Sequence, residues 1–265
     1  MTVRPTFART VDELDVRVYR TEQELGHAAA EEAASALREA IDRRGEARVI
    51  IATGNSQLAF FEALRAVHGV DWSKVRAFHM DEYIGIDERH PASFRAFLRR
   101  EIVEPLGVGA FHLIDADESD PRRCIEAYSD ALRRYPPDLC CMGIGENGHL
   151  AFNDPPFADF DDAAAAKVVE LDDVSRRQQV REGHFPDLAA VPTHAVTLTI
   201  PTLIAPERVL VIVPERRKAE AVATALEGPV HDLAPASVLR TVPQATLFLE
   251  PDSASSWSAW VTRDA

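Results

Sequence analysis

The sequence predicts an α/β protein in which helices cover both faces of a mostly parallel sheet. Short β-branched runs alternate with longer helical stretches along the chain, the pattern of strands joined by crossover helices. The 265 residues are enough to enclose a large core, and one domain of this class is favoured over two small ones. Polar segments rich in small residues follow three of the strand runs, at the edge where open α/β sheets bind ligands.

In chain order, strands are expected at Arg48–Ala52, Val75–Met80, Leu139–Gly143, Ala195–Ile200, Val209–Val213 and Ala245–Leu249. The stretch Glu22–Arg44 repeats Leu25, Ala29, Ala33, Ala36, Leu37, Ala40 and Ile41 at helical spacing, which predicts a long covering helix. Further helices are expected at Ser56–Val67, Ala92–Val103, Asp120–Arg134 and Arg216–Leu226, the last halted by Gly228-Pro229. Pro155–Ala166 carries prolines and acidic and alanine tracts and reads as an exposed loop or lid. Asp252–Ala265 is polar apart from Trp257, Trp260 and Val261, which suits a packed tail or an interface element.

Composition narrows the class. A hydrophobic fraction of 46% and a charged fraction of 27% are those of an ordinary globular chain, and no apolar run approaches a membrane span. The formal net charge of −14 opposes binding to nucleic acid or an anionic membrane, so an anionic substrate needs a local cluster of donors. Cys124, Cys140 and Cys141 cannot all pair, and no Cys or His ligand spacing is present, so neither a disulfide framework nor a structural metal is expected. Met1 to Thr21 mixes Arg4, Arg9, Asp12, Glu13 and Asp15 without an apolar signal core; the expectation is a cytoplasmic protein.

Three segments carry the candidate chemistry. Thr53-Gly54-Asn55-Ser56 follows an apolar strand and opens a helix, so its backbone amides converge at a helix N-terminus, a geometry that suits an anion. Read alone, the same residues are common caps and turn formers. Met80-Asp81-Glu82-Tyr83 places two adjacent carboxylates at a strand end; without further context Asp81 reads as a turn cap and Glu82 as solvated. Gly143 to Pro155 is the most informative, because three glycines within six residues let the backbone turn sharply before His149. Asp154 can fix the tautomer of that histidine and favour its charged form. Lys218 and the charged run with Arg176, Arg177 and Arg181 offer cations for a phosphate.

These residues carry a resemblance. The motif Phe78-His79-Met80-Asp81-Glu82-Tyr83, followed by His90-Pro91-Ala92-Ser93-Phe94, and the run Gly143-Ile144-Gly145-Glu146-Asn147-Gly148-His149-Leu150-Ala151-Phe152-Asn153-Asp154-Pro155 resemble glucosamine-6-phosphate deaminases, within the group that includes 6-phosphogluconolactonases. Weaker agreement runs through Thr53–Gln57, Ala195–Ile200, Lys218-Ala219 and Pro235-Ala236-Ser237. The lactonase branch has a Ser-Leu-Phe-Pro-like ending in place of Ala151-Phe152-Asn153, so the chain resembles the deaminase branch.

The resemblance implies a modified Rossmann-like fold and a reaction that uses neither metal nor redox cofactor. It implies that Asp81 takes the proton from the sugar C2 and returns one at C1, and that His149 helps to open the pyranose ring in a relay with acidic neighbours. Asp154 stands at one of those positions, where a glutamate is usual, and Asn147 where the relatives carry aspartate; an amide cannot take up and release a proton. Phosphate contacts fall by resemblance on Thr53, Gly54, Asn55, Ser56 and Lys218, with Arg181 as the arginine and Arg177 as its alternative. Asn55 replaces a more usual glycine. The family's effector residues do not map onto the Pro156–Lys167 region, so allostery is not carried over. Family members commonly self-assemble. The implied partner is a small sugar phosphate, most simply glucosamine 6-phosphate converted to fructose 6-phosphate and ammonia. A different amino sugar, lactone hydrolysis and a non-catalytic sugar-phosphate sensor are the alternatives.

Overall fold

The computed structural model describes residues 3–116, 120–171, 173–181 and 183–263. In chain order the elements are β1 (Phe7–Val11), β2 (Leu14–Val18), α1 (Glu22–Arg44), β3 (Ala47–Ile51), α2 (Leu58–Ala66), β4 (Val75–His79), β5 (Asp81–Tyr83), α3 (Phe94–Leu98), α4 (Glu104–Leu106), β6 (Ala110–His112), α5 (Pro121–Arg134), β7 (Leu139–Met142), β8 (Ala166–Glu170), α6 (Asp173–Arg181), β9 (His194–Leu198), α7 (Ile200–Ile204), β10 (Arg208–Val213), α8 (Ala219–Glu227), β11 (Ala245–Leu249) and α9 (Ser258–Val261). Eight strands form one sheet in the order β1-β2-β11-β10-β7-β3-β4-β6, and β5-β9-β8 form a second, antiparallel sheet. Within the large sheet only the β1–β2 hairpin is antiparallel.

The central strands are apolar on both sides because both sides are covered. Val49, Ile51, Leu210, Ile212 and Phe248 face one layer, packed with Leu25, Ala29, Ala33 and Leu37 of α1 and Phe60, Phe61 and Leu64 of α2. Ile50, Cys140, Met142, Val209, Val211 and Leu247 face the other, with Tyr128 and Leu132 of α5, Val222 and Leu226 of α8, and Trp257 and Trp260. The expected helix Glu22–Arg44 keeps its bounds: Thr21 accepts from the Glu24 N–H at its start, and Gly45 closes it in a left-handed conformation. The expected tail is a packed one, with Trp257 and Trp260 edge-on to Phe7; its last residues, Asp264 and Ala265, lie outside the described residues, as do Met1 and Thr2 at the other end.

Several expectations are corrected. The run Val75–Met80 is cut at His79, and the chain crosses at Met80 into the small sheet, where Asp81 pairs with Thr197. Ala195–Ile200 belongs to that small sheet, as β9, and ends at Leu198 because Pro201 starts a helix instead of continuing a ladder. Ala92–Val103 is interrupted: α3 passes into a π-helical turn at Arg99–Val103 and then into α4. Ser56–Val67 and Arg216–Leu226 each begin with a 3₁₀ turn, at Asn55–Gln57 and Arg216–Lys218. The loop expected over Pro155–Ala166 gives way to β8 at its last residue.

Close approach of α1 to α2 depends on Gly26, where an added Cβ would lie 2.7 Å from the backbone carbon of Ala59. Since backbone cannot yield as a flexible side chain does, Gly26→Ala is expected to cost about 1–3 kcal/mol in chemical denaturation, with the secondary-structure signal of the folded state retained.

Candidate active site

A cleft of about 870 Å³, counted out to its open mouth, lies over the ends of β3, β4, β7 and β10. Its lining draws on the loop after β3 (Thr53, Gly54, Asn55, Ser56, Gln57), on Met80 and Asp81, on the α3 region (Pro91, Ala92, Phe94, Phe97), on the loop after β7 (Gly143, Ile144, Ala151, Phe152) and on the turn after β10 (Arg217, Lys218). Gln179 and His184 close it from the α6 side. The position is the one that crossover topology produces, since loops at the carboxyl ends of parallel strands converge there.

One end of the cleft is built for an anion. Thr53 to Ser56 leads from β3 through a 3₁₀ turn into α2, which gathers backbone donors at the start of a helical run. Gln57 is buried, and its Nε2 donates to the Ile212 carbonyl at 3.1 Å, pinning this loop to β10. Lys218, also buried, enters the same cleft from the turn that follows β10. Every one of the four loop residues named from the sequence lines the cleft, together with Lys218.

The adjacent carboxylates Asp81 and Glu82 are both buried, so the reading of a turn cap beside a solvated glutamate is overturned. Alternation along β5 sends them to opposite sides. Asp81 borders the cleft and its Oδ1 has no protein partner; burial, reinforced by the charges of Glu82 and Asp154, holds its carboxyl well above the ordinary range. Glu82 points away and collects donors: Tyr83 N and Phe94 N at 3.0 and 3.2 Å on Oε1, and Ser93 Oγ, Arg95 N and Arg95 Nε at 2.9, 3.0 and 3.2 Å on Oε2. Its carboxyl is raised by burial against the pull of those donors. His79, one strand earlier, is fully enclosed; burial pushes it down to about 3, and its Nε2 accepts from the Ile114 N–H at 2.7 Å. It is a neutral structural histidine.

His149 is held by its own loop. Its Nδ1 lies 2.9 Å from Asp154 Oδ1, the same oxygen that accepts from Asn147 Nδ2 at 2.8 Å, while Asn147 Oδ1 accepts from the His149 N–H at 3.1 Å. Asn147 thus orients both partners without titrating. An added Cβ on Gly145 would sit 2.2 Å from His149 Nε2, so the glycine there makes room for the ring. The neighbouring Ile144 and Ala151 line the cleft, but His149, Asn147 and Asp154 are not among its lining residues. Asp154 of this cluster is close enough for its charge to bear on Asp81.

The arginine expectation is not met by the geometry. Arg181 is exposed on α6, 3.1 Å from Glu146 Oε2, and neither it nor Arg177 lines the cleft. Gln179 of the same helix does line it, and two residues further along an α-helix the side chain points to the other side. Arg217 lines the cleft instead, with its Nη1 3.2 Å from Glu146 Oε1. The signal for it was its place beside Lys218 on a strand-to-helix turn. Phe94, Phe97 and Phe152, with the stacked pair Phe94–Phe152 at 5.9 Å, form an aromatic wall that no polar motif marks.

Comparison with known proteins agrees with this layout. The model of the family described as glucosamine-6-phosphate isomerases/6-phosphogluconolactonase matches residues 20–248. A glucosamine-6-phosphate deaminase of Streptomyces avermitilis is 35% identical over 230 residues, which cover 84% of this chain and 86% of that protein. One from Arthrobacter sp. (strain FB24) is 34% identical over 230 residues, with the same coverage of both. Among solved structures, a monomeric glucosamine-6-phosphate deaminase superposes with a TM-score of 0.83 at 25% identity, covering 91% of this chain and 99% of its own. The 6-phosphogluconolactonase of Trypanosoma brucei shares the fold, with a TM-score of 0.73 at 17% identity, over 96% of this chain and 99% of its own. By sequence and by architecture, the chain belongs to the family of glucosamine-6-phosphate isomerases and 6-phosphogluconolactonases.

Proposed function

We infer that the chain converts glucosamine 6-phosphate to fructose 6-phosphate with release of ammonia. The observation that carries this reading is the buried carboxylate of Asp81 bordering a cleft whose lining includes an anion loop and Lys218. In the sequence we propose, Thr53 to Ser56 and Lys218 hold the phosphate, and the His149–Asp154–Asn147 cluster serves ring opening. Arg217, which lines the cleft, is the arginine placed to join the phosphate contacts, whereas Arg181 stands outside the lining. Asp81 then takes the C2 proton of the open aldose and leaves an enolamine. Return of that proton at C1 gives the C2 imine; addition of water there expels ammonia, so the net reaction is an isomerisation coupled to hydrolytic deamination. Holding the phosphate fixes C2 against Asp81, so binding contributes orientation to the chemical step.

The lining draws on residues of both sheets and their loops, which supports the chain acting as one domain. All three cysteines are buried, which suits work in the reducing cytoplasm.

A raised Asp81 places the acid limb of the pH–rate profile above the ordinary carboxylate range, because the base acts only when deprotonated. Asp81→Asn is expected to lower turnover about 10³-fold in an ammonia-release assay while a hexose phosphate still binds. Turnover close to that of the wild type in this variant excludes the base assignment. The same variant is expected to melt at a higher temperature at neutral pH: a carboxyl raised on folding contributes stability that is present below its unfolded pKa and lost as pH rises through the folded one. That advantage should fade on acidification. Lys218→Ala should raise KM about 10-fold or more with a smaller change in kcat, as loss of a charged phosphate contact does. A panel of aminated and non-aminated hexose phosphates with 6-phosphogluconolactone separates the readings, since a sensor binds without turnover of any of them and a lactonase hydrolyses the lactone without releasing ammonia.

A further inference from the structure

Glu82 and Arg95 are the most completely buried ion pair described, with 0% and 2% of their side chains exposed, and neither lines the cleft. We propose that the Glu82–Arg95 pair is the positioning device for Asp81, fixing the orientation of the short strand that carries it and its distance from the α3 wall. This rests on the deaminase reading for its activity readout.

The inference follows from what one carboxylate ties together. β5 has three residues and is hydrogen-bonded only to β9 among the described strands, so its backbone alone fixes its orientation weakly. Because Glu82 and Asp81 face opposite sides of that strand, a shift of the Glu82 side chain swings Asp81. Four of the five donors on Glu82 come from Ser93, Phe94 and Arg95, at the start of α3, and Pro91, Ala92, Phe94 and Phe97 of that region form the cleft wall. Arg95 extends the brace: its Nη2 donates to the Ile86 carbonyl at 2.7 Å and its Nη1 approaches Asp115 at 3.5 Å. A buried ion pair adds little net stability relative to an apolar pair of the same shape, whereas removal of one partner strands the other. What the pair provides is geometry: strand, wall and base move as one body. Around Asp81 stand Glu82 on its own strand, Arg95 on α3, Asp154 with His149 on the loop after β7, His79 at the end of β4, Tyr128 of α5, and Lys218 in the shared cleft.

The experiment compares Glu82→Gln and Arg95→Lys with the wild type by ammonia release from glucosamine 6-phosphate across pH, by thermal unfolding, and by carboxyl NMR of Asp81 assigned against Asp81→Asn. In Glu82→Gln the loss of a neighbouring negative charge should move the acid limb of kcat/KM, and the Asp81 titration, to lower pH. Its kcat should fall about 10- to 100-fold, the scale of a displacement near 1 Å, with KM within about threefold. Arg95→Lys keeps a positive charge but not the guanidinium fork, and should lose kcat on the same scale; it carries the test if Glu82→Gln does not fold. Turnover within about twofold of wild type in either folded variant overturns the proposal. If wild-type protein releases no ammonia, the deaminase reading fails on its own; the positioning role is then decided by the Asp81 titration, which an unchanged value in Glu82→Gln overturns.

Discussion

Two neighbouring carboxylates taken out of water on a three-residue strand are the constraint around which this fold is organised. Buried carboxyl groups are costly unless donors surround them, and Asp81 and Glu82 meet that cost in opposite ways. Glu82 receives five donors and becomes a joint between β5 and α3. Asp81 keeps one oxygen unpartnered at the cleft, which leaves a carboxyl group held short of its solvation. For both to occur side by side, the chain has to leave the parallel sheet at Met80 and enter a second sheet whose hydrogen bonds run to β9.

Lactonase structures superpose over nearly the whole chain, so the sheet and its anion loop do not by themselves determine a reaction. In this chain a carboxylate at the sheet boundary and the loop after β7 both line the cleft. That loop presents Ile144 and Ala151 to the cleft, and its imidazole is held by Asp154, which Asn147 in turn holds.

Much of this was legible in the sequence. The central strands are apolar runs bounded by turn residues, and α1 carries its period, cap and terminal glycine in plain view. The loop Thr53 to Ser56 stood out by following a strand and opening a helix, although such residues are also common caps and turn formers; the resemblance is what assigned it, with Lys218, to a phosphate. Less legible was whatever depends on the partner across space. Glu82 looks solvated until Arg95 is brought to it, thirteen residues along the chain. Arg181 and Gln179 share a helix, and only the packing of α6 decides which faces the cleft. The hairpin β1–β2 was passed over although Leu14, Val16 and Val18 alternate with Asp15 and Arg17, a period that charged neighbours obscure. The three residues of β6 are too few to show a period, and in β8 the adjacent Val168 and Val169 break the alternation.

Glu146 holds both Arg181 and the cleft-lining Arg217, in a chain whose formal charge is −14. The far field met by a dianionic sugar phosphate is therefore repulsive, and these cations are already partly neutralised. Capture then depends on contact-range donors after a chance encounter, not on long-range attraction. Added salt, by shortening the reach of that repulsion, makes approach faster while weakening the final grip.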